Sequence, residues 1–226
     1  MRPFILTLVI ALVATDASAQ LERRPITLSA GLEMGFPMGE FNETWGREIT
    51  GVSGNLTMPM AVLPFDLGID FGWGRMGGGT KEIVIDDQYL GANTGDLRIY
   101  SDIFGYHGLL RLKPFNGKVS PYIEGLIGTR QFTTRTRVLV DGMDEPYMEQ
   151  RNSNEFIWSH GWAAGIQIAP GRMFYFEARV ERLNGGAVEY VDPSTITISD
   201  QGEVDYGTLT SGSRVINFHL GAGLRF

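Results

Sequence analysis

Apolar and polar positions alternate along most of this chain, in eight runs separated by turn-forming residues. A period of two marks a strand with one apolar face. The first run spans 26–36, with Ile26, Leu28, Ala30, Leu32 and Met34 on one face. The second spans 49–62, with Val52, Leu56, Met58, Met60 and Val62. The third spans 67–76, with Leu67, Ile69, Phe71 and Trp73. The fourth spans 97–113, with Tyr100, Phe104, Tyr106, Leu110 and Leu112. The fifth, over 121–138, shows Ile123 and Ile127. The sixth, over 156–168, shows Trp158, Trp162, Ala164, Ile166 and Ile168. The seventh, over 173–183, shows Phe174, Phe176, Ala178 and Val180. The last takes in 215–226, where Ile216, Phe218, Leu220, Ala222, Leu224 and Phe226 share a face.

The connections alternate in length. Those at 63–66, 114–120 and 169–172 are short, while 37–48, 77–96, 139–155 and 184–213 are long and polar. Tight turns at one end and long polar loops at the other are the asymmetry of an outer-membrane barrel with an even strand number. Eight strands place both termini at the short-turn end. The pattern therefore predicts an all-β fold, an eight-stranded antiparallel up-and-down transmembrane β-barrel.

The faces opposite the apolar rows strengthen this. They carry Glu33, Ser53, Asn55, Thr57, Asp70, Arg111, Glu124, Arg130, Gln167, Glu177, Arg179, Glu181, Asn217, His219 and Arg225, with many glycines between. A soluble ligand-carrying barrel would reverse the faces. A β-sandwich also alternates, but does not account for charged inner faces. Buried charges must be paired, and an eight-stranded lumen holds little beyond side chains. Glu33, Asp70, Arg111, Glu124, Glu177, Arg179 and Arg225 are thus expected to form an interior polar network, a salt-bridged plug that leaves no open pore. Aromatics should mark the two membrane interfaces: Trp73, Tyr100, Phe104 and Trp158 toward the loops, and Phe65, Phe115, Tyr122, Phe174 and Phe226 toward the turns.

The first nineteen residues set the compartment. Arg2 precedes the apolar run 4–14, and Ala17-Ser18-Ala19 fits a signal-peptide cleavage pattern. Residues 1–19 read as a signal peptide and 20–226 as the barrel domain. With no cysteine there is neither a lipoprotein anchor nor a disulfide framework. A net charge of −7 speaks against a nucleic-acid partner.

Together with the terminal Leu224-Arg225-Phe226, these features resemble the small outer-membrane barrels of the OmpA/OmpX type over the whole mature chain. The resemblance implies location in the outer membrane of a Gram-negative bacterium, among outer-membrane lipids and lipopolysaccharide. It also implies that Phe226, with Phe218, Leu220 and Leu224, belongs to a signal read by the barrel-assembly machinery.

Candidate chemistry is sparse. His107, His160 and His219 lack metal-site spacing, and no cofactor is expected. Ser159 and His160 invite a lipid-modifying enzyme, but neighbours on a strand point to opposite faces, so the reading is not an enzyme. Gly77-Gly78-Gly79-Thr80-Lys81 lacks the rest of a phosphate loop and reads as a flexible loop tip. Acidic groups at 86–87, 141–145 and 200–205 read as solvated loops, with divalent cations as the alternative. Arg130, Arg135 and Arg137 rise along the fifth strand as candidate contacts to lipopolysaccharide phosphates. The function expected is a membrane-anchored scaffold that binds extracellular ligands through its loops. The alternatives are a narrow solute channel and a lipid-modifying enzyme.

Overall fold

The computed structural model describes residues 24–61, 63–87, 91–140, 145–192, 194–198 and 204–226. The leader 1–19, Val62 and most of the acidic stretches 141–145 and 200–205 lie outside the described residues. In chain order the strands are β1 (Thr27–Pro37), β2 (Ile49–Pro59), β3 (Phe65–Asp87), β4 (Gly91–Leu112), β5 (Val119–Val140), β6 (Met148–Ile168) and β7 (Phe174–Gly185). There follow four short strands, β8 (Ala187–Val191), β9 (Thr197–Ile198), β10 (Val204–Asp205) and β11 (Thr208–Gly212), and then β12 (Val215–Arg225). A one-turn helix, α1 (Glu40–Thr44), lies between β1 and β2.

Strands β1 to β7 and β12 close into a barrel in which each strand pairs antiparallel with its sequence neighbours. The seam is β1 on β12, in unbroken register from Thr27↔Arg225 to Pro37↔Val215. Below it, the Ile26 and Phe226 backbones exchange two further hydrogen bonds of 3.2 and 3.0 Å. Closure leaves the barrel without an edge strand, which hydrocarbon demands of any sheet that spans it.

Side-chain alternation sorts the residues as the sequence pattern requires. The outward rows are apolar and uncovered: Leu32 is 72 % exposed, Leu220 69 % and Ile69 64 %. Apolar area of this extent around a whole barrel is unfavourable in water and belongs against lipid. The inward rows hold the buried polar and charged residues.

Three expectations are corrected. First, the long connections are largely folded. β3 and β4 extend to Asp87 and from Gly91, and β5 and β6 reach Val140 and Met148. Glycines 77–79 therefore sit inside β3, opposite Ser101, Tyr100 and Ile99, just past a bulge between Arg75 and Gly77, and not at a loop tip. A Cβ on Gly77 would lie 3.0 Å from the Trp45 indole, a tight contact. Second, the 184–213 excursion contains two small sheets, β8 with β11 and β9 with β10. Third, Tyr122 is buried in the lumen and takes no part in the lower aromatic belt, because its place in β5 puts it in the inward row with Glu124.

A closed barrel that keeps its hydrogen bonds in detergent gives a direct check. The outer-membrane fraction, run on a denaturing gel, is expected to show a band that shifts on boiling. Identical migration with and without boiling would contradict closure.

Candidate functional site

The lumen is built in layers, starting from the short-turn end. At the floor, Arg24 pairs with Asp66 at 2.9 Å and donates to the carbonyls of Met60 and Phe65, while Lys113 reaches Asp66 at 3.5 Å. Arg225 is half-buried beside them. Its guanidinium sits 5.3 Å over the Tyr175 ring, and Nη2 reaches Gln167 Oε1 at 3.5 Å. No carboxylate pairs with it among the described residues, so Arg225 edges the plug without joining its ion pairs.

The next layer is the network proper. Arg111, fully buried, donates Nε to Glu124 and approaches Glu177 at 3.4 Å. Its Nη2 donates to Asn55 Oδ1 at 3.1 Å, and its guanidinium lies 4.0 Å over the Tyr122 ring. Glu177 in turn accepts from Tyr122 Oη at 2.7 Å, Gln167 Nε2 at 3.2 Å and Asn55 Nδ2 at 3.4 Å. Arg179 binds three carboxylates: Asp70 at 2.6 Å, Glu124 at 3.1 Å, and Glu181 through Nη2. Glu181 also accepts from Asn217 Nδ2 at 3.0 Å. His219 Nδ1 and Ser53 Oγ share a 2.7 Å hydrogen bond. The two arginines thus link carboxylates from β3, β5 and β7 across the lumen. Glycine opposite the larger groups makes this possible: a Cβ on Gly165 would stand 2.3 Å from the Tyr122 hydroxyl.

Above this layer a cavity of about 40 Å³ is lined by Glu33, Asp70, His107, Arg130, Glu181 and Asn217 on its polar side, room for a few waters. Glu33 faces this cavity and makes no ion pair among the described residues. Arg130 is also inside. It is 3 % exposed, donates Nη1 to the Ser213 carbonyl at 2.6 Å and stacks 5.2 Å over Phe132. That placement corrects its assignment to lipopolysaccharide, because an inward side chain of β5 cannot reach lipid. Arg135 and Arg137 do face outward, and Arg137 is held by Glu149 at 3.1 Å.

An apolar cap closes the loop end. Phe41 and Trp45, carried by α1 and the residue after it, pack edge-on against Tyr190 of β8 at 5.8 Å each, and Phe132 stacks on Tyr190 at 6.3 Å. Gly39 and Gly46 flank α1 at φ 57° and 60°, backbone that a side chain would strain. Burial pushes the Tyr190 hydroxyl above its usual range, where it bonds Ser211 at 3.1 Å. The cap was not foreseen: its members sit singly in polar connections and carry no periodic signal. Above it, Leu97, Ile99, Val138, Val191 and Ile196 form a second apolar cluster, and Lys81 Nζ donates to the Ile196 carbonyl at 2.8 Å. The external part is thus a folded head.

The remaining candidates are placed as follows. Ser159 is fully buried and His160 exposed, on opposite faces of β6. No cluster of three metal-ligating side chains occurs among the described residues. Phe218, Leu220 and Phe226 are exposed on the outer row of β12, with Leu224 partly covered between them.

By sequence, no protein-family model and no curated protein matches this chain. By shape it is similar to solved outer-membrane proteins. Ail, the attachment invasion locus protein of Yersinia pestis, is 18 % identical with a TM-score of 0.43, over 91 % of this chain and 100 % of that one. Neisserial surface protein A is 13 % identical with a TM-score of 0.43, over 89 % and 97 %. OprG of Pseudomonas aeruginosa is 13 % identical with a TM-score of 0.48, over 91 % and 97 %. The closed seam, the lipid-facing belt and the charged lumen make this chain an eight-stranded barrel of the small outer-membrane type.

The network generates a stability prediction. Arg111→Met takes from Glu177 its ion-pair partner, leaves Glu124 with Arg179 alone in a buried lumen, and is expected to cost about 3–5 kcal/mol. Urea unfolding of the refolded protein in lipid vesicles, followed by tryptophan fluorescence, measures it. Adding Glu124→Gln should recover part of the loss; a variant as stable as the parent would show the pair to be dispensable.

Proposed function

We propose that the chain is a membrane-anchored scaffold that presents its folded head outside the cell for surface binding, with no solute path through the lumen. On this reading residues 1–19 are a leader removed after Ala19, and 20–226 insert through the barrel-assembly machinery. The outer row of β12, with Phe218, Leu220, Leu224 and Phe226, is the surface assigned to that step.

One observation carries the reading. The lumen is filled twice over, by the Arg111–Arg179 network below and by the Phe41–Trp45–Tyr190 cap above. Only a small cavity separates them. Building and capping a plug is expensive in buried charge and serves a barrel that must stay shut. The strands that continue upward give the head a rigid base. Arg135 and Arg137, on the outer face of that base, remain candidates for contact with anionic sugars or phosphates.

The reading is tested in two ways. In planar bilayers the protein is expected to show no steady unitary conductance, and regular channel steps would overturn the closed scaffold. Because the chain has no cysteine, single-cysteine labelling reports its orientation. Thr210→Cys, in β11, should react with an impermeant thiol reagent on intact cells. Lys118→Cys, in a short turn, should react only after permeabilisation. The reverse pattern would place the head on the periplasmic side.

A further inference from the structure

Outward arginines are treated in two ways. Three are met by a carboxylate: Arg75 by Asp102 at 2.6 Å, Arg137 by Glu149 at 3.1 Å and Arg98 by Asp96 at 3.6 Å. Arg135 and Arg151, paired across β5 and β6 high on the tall wall, have no ion pair among the described residues. One unpaired arginine lies lower, on the short wall. Arg182 of β7 belongs to the outward row that includes Phe174, Phe176, Ala178 and Val180. Its cross-strand neighbours are Trp162 on β6 and Ile216 on β12, both apolar. Its Nε is buried with no hydrogen-bond partner, and no ion pair holds the side chain among the described residues.

Two more cationic or titratable groups stand beside it. His160 is exposed on β6 and lies opposite Asn184 of β7. Arg214 is exposed immediately before Val215, which lies opposite Leu183. Diagonal neighbours across paired strands are about 7–8 Å apart, so Arg182, His160 and Arg214 surround Asn184 within the width of one large headgroup. The outward rows of β6 from Phe156 to Ile168, of β7 and of β12 contain no carboxylate. The acids of β7, Glu177 and Glu181, point into the lumen.

The height of the cluster identifies the occupant. Arg182 lies eight residues above Phe174. At about 3.3 Å per residue and a tilt near 40° that is roughly 20 Å, against an apolar band about 25 Å tall. The arginine therefore sits just inside the upper interface and can reach up to headgroup phosphates. Trp162 beside it, and Phe176 and Val180 below, exposed to lipid, offer a surface for acyl chains. A diacyl phospholipid such as phosphatidylglycerol has a single phosphodiester for two separated guanidinium groups. A diphosphorylated saccharolipid brings more than one phosphate, which Arg pairs well, and hydroxyls suited to Asn184.

We propose that Arg182, Arg214 and His160, arranged around Asn184, bind the phosphorylated headgroup of lipid A in the outer leaflet. The site rests on the outer-membrane reading above and is distinct from the Arg135–Arg137 surface, which lies higher, on β5.

Native mass spectrometry of the refolded full chain, released from detergent micelles containing purified lipid A, tests it. One lipid A should stay bound to the parent protein, and Arg182→Gln with Arg214→Gln should lower retention at least tenfold. Arg182→Lys should keep most of it, and Arg135→Gln with Arg137→Gln should leave it unchanged. Dephosphorylated lipid A and phosphatidylglycerol should be retained weakly. Undiminished retention by the Arg182/Arg214 variant overturns the site, and equal retention of phosphatidylglycerol overturns its assignment to lipid A. A heat-modifiable parent that holds no lipid A refutes the site alone, whereas a parent that never becomes heat-modifiable refutes the membrane reading with it.

Discussion

Hydrocarbon offers no hydrogen bonds to a backbone, and this constraint organises the rest of the molecule. A sheet that spans a membrane must pair every strand on both sides. Here the requirement is met where β1 closes on β12, in eleven register pairs without a bulge. Once the ring is shut, alternation leaves only two destinations for a side chain, lipid or lumen. The outward rows can be apolar without forming a core, and the inward rows become a confined space in which polarity must be satisfied locally. Closure thus comes first, and the plug is its consequence.

The lumen shows how confinement selects residue types. An arginine spans an eight-stranded interior and offers several donors in one plane. Arg179 uses them to join three carboxylates from three strands, and Arg111 links Glu124, Glu177 and Asn55. Glycine on the facing strand admits the rings that cover these charges. Losing one partner leaves the others charged and dry. Breaking such a network costs more than a packed apolar replacement of the whole would.

Strand count, antiparallel order, the lipid-facing rows and most of the interior set were legible in the sequence, because a period of two survives in a barrel with two distinct environments. Pairing within the lumen was only partly legible: Arg111, Arg179, Asp70, Glu124 and Glu177 meet, while Glu33 and Arg225 stand at the margins. The head was not legible, for two reasons. Glycines 77–79 carry no side chain to alternate, so the upward run of β3 looked like a loop. The cap residues Phe41, Trp45 and Tyr190 occur singly among polar neighbours, and only tertiary packing gathers them. Arg130 and Tyr122 went astray although the alternation of β5 was legible: both share the inward row with Glu124, and assigning either to lipid set that alternation aside.

The cap and the unequal walls have one geometric cause. Strands β3 to β6 run on past the membrane, while β1, β2, β7 and β12 stop near its upper surface. The connections on the short side carry α1 and β8, and these bend inward over the lumen because their aromatics have nowhere else to be buried. Having turned inward, they leave the outer rim of β6, β7 and β12 uncovered. Among the described residues a guanidinium on that rim meets no protein carboxylate. Higher on the tall wall an outward cation has water around it, and Arg98 and Arg137 also find carboxylates there, while Arg135 and Arg151 do not. An unpaired cation that stands in water needs no partner, whereas one at the rim of the hydrocarbon must be answered by the headgroup layer.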